Sequence, residues 1–179
     1  FFLFLEPETD DYNHAVQVVA SGPDSDLPII LLSIIQSIYT AKEEILLTTP
    51  YYIPDVNLQQ ALVLAALSGK KVKILVPAKG DSFFVSMASK AFYDELLVAG
   101  VTIYEYTKGF VHAKTFVIDR KVASVGTANL DARSFDLNFE VTTWIYDEEI
   151  ARNMAAQFDI DISHATVVRY KVWKKRNVW

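Results

Sequence analysis

The sequence predicts an α/β fold: a mixed β-sheet flanked by helices on both faces. Three observations carry this expectation. Through the first hundred residues, apolar runs of strand length alternate with longer runs whose apolar residues recur at helical spacing. Beyond residue 110 the strand-like runs follow one another with short connections, which demands antiparallel neighbours within the same sheet. Hydrophobic residues make up 51% of the chain, enough to bury a sheet on both sides.

Taken in order, Ala15 to Val19 reads as a strand ended by Ser21-Gly22-Pro23, and Pro28 to Lys42 as a helix with proline in its first turn. Ile45 to Thr49 is a short apolar strand. It runs into Pro50-Tyr51-Tyr52-Ile53-Pro54, which the two prolines hold extended, predicting a loop. Asn57 is placed to cap a helix that continues through Leu67 and stops at Gly69, and Val72 to Val76 is the next strand. Ser82 to Ala99 repeats apolar residues at helical spacing up to Gly100, after which Val101 to Tyr106 alternates as a strand does. Lys114 to Ile118, Val122 to Val125 and Val141 to Tyr146 complete the strands.

Charge and composition exclude several function classes. With 17 basic and 22 acidic residues the net charge is −5, which disfavours a dedicated nucleic-acid surface because phosphate neutralisation needs a positive field. The chain has no cysteine and only three histidines, so it has no disulfide or thiolate zinc site and little material for a catalytic metal. The longest greasy run, Leu27 to Ile38, is interrupted by Pro28, Ser33, Gln36 and Ser37 and falls short of the roughly 20 residues that span a bilayer, so it reads as a buried helix. The chain opens on Phe1 without a cleavable leader pattern and has no internal linker or repeat. We therefore expect a single domain over residues 1–179, cut from a longer polypeptide. The basic, aromatic tail from Tyr170 to Arg176 reads as a solvated helix end.

Chemistry concentrates between Gly109 and Glu140. His112 and Lys114 stand two apart at the mouth of the apolar strand Thr115-Phe116-Val117-Ile118, so period two places both on one face. An imidazole beside a fixed ammonium suits attack on a phosphate ester: the ring is a nucleophile and lysine offsets charge on the non-bridging oxygens. Asp119, seven residues from His112, faces away from the pair in a continuous strand. With Arg120 and Lys121 it fits a hairpin turn from Ile118 to Val122, a mainly structural place. In Gly126-Thr127-Ala128-Asn129 the glycine permits close backbone approach, and the Thr127 hydroxyl and Asn129 amide can donate to phosphate. Glu140 is positioned to accept a hydrogen bond from the imidazole and hold its tautomer. His14 and His164 lack a lysine two residues on, so surface roles are expected.

Together His112, Lys114, Asp119, Gly126, Thr127 and Asn129 follow His-x-Lys-x4-Asp-x6-Gly-Thr-x-Asn, which resembles the signature of the phospholipase D superfamily. Thr127 departs from that family's usual serine but keeps the hydroxyl. The segments Thr49 to Asp55, Gly109 to His112, Asn129 to Phe135 and Leu137 to Val141 are similar to the bacterial cardiolipin synthase branch, and the likeness extends from Val16 to about Trp173.

The resemblance implies one phospholipase D-like half. Its catalytic set is His112, Lys114, Asp119 and Glu140, with His112, Lys114, Thr127 and Asn129 holding phosphate and no metal or other cofactor. It implies phosphatidyl transfer between two phosphatidylglycerol molecules through a phosphohistidine, releasing glycerol and forming cardiolipin. That mechanism uses two histidines, and only His112 sits in such a motif, so a second motif must come from the parent chain or a homodimer partner. A membrane surface is the implied setting, in the bacterial cell membrane. An Asp131–Arg133 ion pair is expected to fix the following loop. Tyr51-Tyr52 is read equally well as lining the site or packing beneath it. A superfamily nuclease, a phospholipid hydrolase and a non-catalytic phosphate-binding module are the alternative readings.

Overall fold

The computed structural model describes residues 14–175. Its elements run β1 (Ala15–Ser21), α1 (Ile29–Thr40), β2 (Glu44–Thr48), β3 (Tyr52–Ile53), α2 (Val56–Leu67), β4 (Lys71–Pro77), α3 (Phe83–Ala91), α4 (Tyr93–Ala99) and β5 (Thr102–Tyr106). They continue with β6 (Thr115–Ile118), β7 (Val122–Gly126), β8 (Leu130–Asp131), α5 (Ala132–Asp136), β9 (Glu140–Tyr146), α6 (Glu148–Ser163), β10 (Ala165–Val167) and α7 (Tyr170–Trp173). Eight strands form one sheet in the order β1-β9-β7-β6-β2-β4-β5-β10. β2, β4 and β5 are parallel, and the run from β2 through β6, β7 and β9 to β1 is antiparallel. The mixed sheet is thus the one expected.

Period-two alternation assigns the strand residues to two cores. On one face Ile45, Leu47, Ile74, Ile103, Phe116 and Trp144 pack with Ile34 and Ile38 of α1, Leu62 of α2 and Leu96 of α4. On the other, Leu46, Leu75, Val117 and Ala123 pack with Ala151, Ala155 and Phe158 of α6. The sequence reading assigned no helix to α6, although its start is legible. The Asp147 carboxylate accepts from the Ile150 amide, and Glu148 and Glu149 occupy the first turn.

Four local expectations change. Asp55, not Asn57, caps α2: its carboxylate accepts from the Asn57 amide at 2.7 Å. The helix expected over 82–99 breaks at Phe92. There the main-chain carbonyl accepts from Gln59 Nε2 at 3.1 Å and the ring packs edge-on against Tyr52, so tertiary contacts override the helical ladder. The expected loop at 50–54 contains β3, which pairs in parallel with β8 in a separate two-stranded sheet. The C-terminal segment is docked at Trp173, which stacks on Tyr93 at 5.2 Å and donates to Asp94, while Arg176 lies outside the described residues. No helix among the described residues is long and apolar enough to cross a membrane.

Candidate phosphoryl-transfer site

β2, β4, β5 and β7 deliver their carboxyl ends, and β6 and β9 their amino ends, to one edge of the sheet. Ligands of open α/β sheets collect at such an edge. The loops gathered there carry Tyr51, Asp81, His112, Lys114 and Asn129, and Glu140 opens β9 at the same edge.

His112 is exposed and reached through a loop that Gly109 turns at φ 150, a backbone region disfavoured for other residues. The strand proper begins at Thr115, so the pair is set by the entry to β6 rather than by strand alternation. Lys114 is anchored by its carbonyl, which accepts from the Gly126 amide at 3.1 Å. Its ammonium donates to the His112 carbonyl at 2.8 Å and lies 3.3 Å from both ring nitrogens. Partial burial lowers the Lys114 pKa, and the nearby Glu140 and Asp131 carboxylates pull it back up. The imidazole is flanked by Phe110 at 5.7 Å and by Tyr51, whose ring meets it edge-on at 6.5 Å. Tyr51 donates its hydroxyl to Asp81 Oδ2, and that hydrogen bond is the main reason its pKa is pushed up to about 12. Tyr52 does the opposite job: it is fully buried, with its hydroxyl on Gln59 Oε1 at 2.6 Å. Of the tyrosine pair, one lines the site and one packs beneath it. Phe110 has no polar atom to mark it in the sequence, and only the fold shows it as a ring neighbour of the imidazole.

The remaining candidates divide. Asn129 hangs between β7 and β8, its amide held by Ser134 Oγ at 3.1 Å. Its Oδ1 is buried without a hydrogen-bond partner among the described residues, and the residue lines a cavity together with Tyr51. Thr127 instead spends its hydroxyl on the backbone: Oγ1 accepts from the Val141 amide at 3.0 Å and donates to the Val141 carbonyl at 3.4 Å. The expected Thr127–phosphate donor is therefore replaced by a clamp between β7 and β9. Glu140 accepts from Asn138 Nδ2 at 3.0 Å, rather than from the imidazole as expected, and acts on Lys114 through charge. The expected Asp131–Arg133 ion pair does not form. Asp131 caps α5 through the Ser134 amide at 2.7 Å, and the exposed Arg133 makes no ion pair among the described residues.

Asp119 is at the opposite end of β6. With φ 52 at Asp119 and φ 54 at Arg120, the two residues form the tight turn of the β6–β7 hairpin, closed by the Lys121 amide on the Ile118 carbonyl. The Asp119 carboxylate accepts three backbone amides, from Lys42, Glu43 and Glu44, each at 2.8 Å. The structural half of its reading holds, and its inclusion in a catalytic set gains no geometric support. His14 and His164 are exposed, with His14 hydrogen-bonded to Asp147. No cluster of histidine, aspartate or glutamate among the described residues could hold a metal ion.

Residues 34–162 match the family described as cardiolipin synthase, PLD-like domain. The chain is 46% identical to the major cardiolipin synthase ClsA of Bacillus subtilis (strain 168), over 93% of this chain and 35% of that protein. It is 40% identical to cardiolipin synthase 1 of Bacillus anthracis, over 98% of this chain and 34% of that protein. It thus spans about a third of the length of the curated relatives it matches. Among solved structures, Nuc of Salmonella typhimurium, a phospholipase D family member, superposes with a TM-score of 0.74 at 20% identity, covering 88% of this chain and 99% of that one. A phosphatidylserine synthase of Haemophilus influenzae gives 0.69 at 18% identity, covering 92% of this chain and 42% of that one.

Proposed function

The chain belongs to the cardiolipin synthase, PLD-like domain family, and from that premise we propose that it supplies one half of a phosphatidyl-transfer site. The observation that carries this is the Lys114 ammonium held 3.3 Å from both His112 ring nitrogens, on the sheet edge to which Asn129 also belongs. In the first step an imidazole nitrogen attacks the phosphorus of phosphatidylglycerol. A P–N bond forms, the P–O bond to glycerol breaks, and the second imidazole gives glycerol its proton. In the second, the hydroxyl of another phosphatidylglycerol attacks phosphorus, gives its proton to that second imidazole, and expels the first to leave cardiolipin. Lys114 and the Asn129 NH2 stabilise the negative oxygens in both steps.

His112 supplies one of the two imidazoles. The other comes from a second copy of the motif, in the same polypeptide or in a symmetric partner. Contact with a lipid surface is supported by Phe83, Phe84 and Phe139, which are 73%, 81% and 74% exposed, the first two at the start of α3 and the third just before β9, on the side where the site opens. On this reading the parent polypeptide works at the bacterial cell membrane.

The test gives the full-length protein phosphatidylglycerol vesicles labelled at phosphorus. Cardiolipin and glycerol are expected in equal amounts, and an alkaline detergent quench should trap label on protein as a base-stable phosphoramidate that acid then releases. His112→Ala should abolish both products. Cardiolipin formation that survives His112→Ala would remove the imidazole from the mechanism.

A further inference from the structure

A cavity of about 540 Å³ opens beside the proposed phosphoryl site, lined in part by Tyr51, Asp81, Asn129, Asp131, Arg133 and Asn138. It is large enough for a small headgroup. We propose that it is the acceptor subsite, which takes the glycerol headgroup of the second phosphodiester lipid and presents its hydroxyl to the phosphorus. This rests on the phosphatidyl-transfer reading above.

The chemistry of the lining is divided. Arg133 is exposed and has no ion-pair partner among the described residues, so its guanidinium is available to the acceptor's own phosphate. Asp81 engages Tyr51 through Oδ2 and Asp131 engages the Ser134 amide through Oδ1. Each carboxylate therefore keeps its second oxygen as an acceptor for ligand hydroxyls. Asn138 uses its Nδ2 on Glu140 and likewise keeps its carbonyl oxygen. Two carboxylates repel a second phosphate but accept from vicinal hydroxyls, so a neutral polyol joined to one phosphate fits this surface. The cavity also shares Asn129 and Tyr51 with the proposed site: the amide belongs to the phosphate cradle, and the tyrosine touches His112 on one side and Asp81 on the other. The cavity therefore adjoins the phosphoryl site through these two shared side chains.

Acceptor choice supplies the test. The full-length protein is given phosphatidylglycerol vesicles, and glycerol release, cardiolipin and phosphatidate are followed together, because phosphatidate reports transfer to water. Arg133→Gln should lower the ratio of cardiolipin to phosphatidate about tenfold, and Arg133→Lys should recover part of the ratio. In the unsubstituted protein, soluble dihexanoylphosphatidylglycerol should compete with the acceptor, and dihexanoylphosphatidylmethanol, which has the phosphate and no headgroup hydroxyl, should not. This second measurement needs no variant to fold. An unchanged ratio in Arg133→Gln, or equal competition by the phosphatidylmethanol compound, overturns the subsite and leaves phosphatidyl transfer standing. Absence of glycerol release from the unsubstituted protein overturns phosphatidyl transfer itself, and the subsite with it.

Discussion

Replacing Asp119 separates folding from chemistry at the residue where the motif invites confusion between them. Its Oδ1 accepts from the Glu43 and Glu44 amides and its Oδ2 from the Lys42 amide, tying the β6–β7 turn to the start of β2. Water can replace the acceptor at the exposed Lys42 and Glu43 amides, so each bond there is worth about 0.5 kcal/mol net. The partly buried Glu44 amide is worth about 1.5 kcal/mol. Alanine at φ 52 adds about 1 kcal/mol of left-handed strain. Asp119→Ala should therefore destabilise the chain by about 3.5 kcal/mol. Asp119→Asn keeps one oxygen acceptor and tolerates the left-handed region, so about 1.5 kcal/mol is expected.

The assay is urea unfolding of each variant at several pH values. Burial pushes the Asp119 carboxyl up, but the amides of Glu44, Lys42 and Glu43, with Lys121 nearby, outweigh it and hold the group below its ordinary value. The folded state then binds fewer protons than the unfolded one. The carboxylate's contribution is complete above about pH 4 and is lost as pH falls through the lower folded-state value. The gap between the native chain and Asp119→Asn should accordingly close under acid conditions. A variant as stable as the native chain at pH 7, or a gap that persists unchanged below pH 3, would refute the reasoning. So would loss of turnover in Asp119→Asn without loss of stability.

Three further outcomes are expected. Lys114→Ala in the full-length protein should slow phosphatidyl transfer by about 10²-fold or more, with the unfolding midpoint little changed, because its bonds are made to His112 at an exposed edge. Gly126→Ala should cost about 2 kcal/mol in urea unfolding, since a Cβ there lies 2.5 Å from Thr142 Oγ1 and 2.7 Å from the Val141 carbonyl oxygen. Changing Phe83 and Phe84 together to serine should weaken co-sedimentation with anionic vesicles and leave the unfolding midpoint in place, given that both rings are already exposed.

Much of this molecule was written along the chain, because period-two and helical spacing are local signals that need no partner to be read. The strand β6 and the turn at Asp119 are examples, and the His112-x-Lys114 motif behind the family resemblance is likewise local. Helix α6 carries equally local signals, an aspartate cap followed by spaced apolar residues. Contacts between distant segments decided the rest. Whether Thr127 spends its hydroxyl on a ligand or on Val141, whether Glu140 meets the imidazole or Asn138, and whether Arg133 pairs with Asp131 each depend on which loops meet at the sheet edge. The same holds for Tyr51 and Tyr52, adjacent in sequence and sent to the site and the core by the pairing of β3 with β8. A polar side chain takes whichever partner three-dimensional packing brings within hydrogen-bond reach, and one-dimensional spacing does not encode that choice.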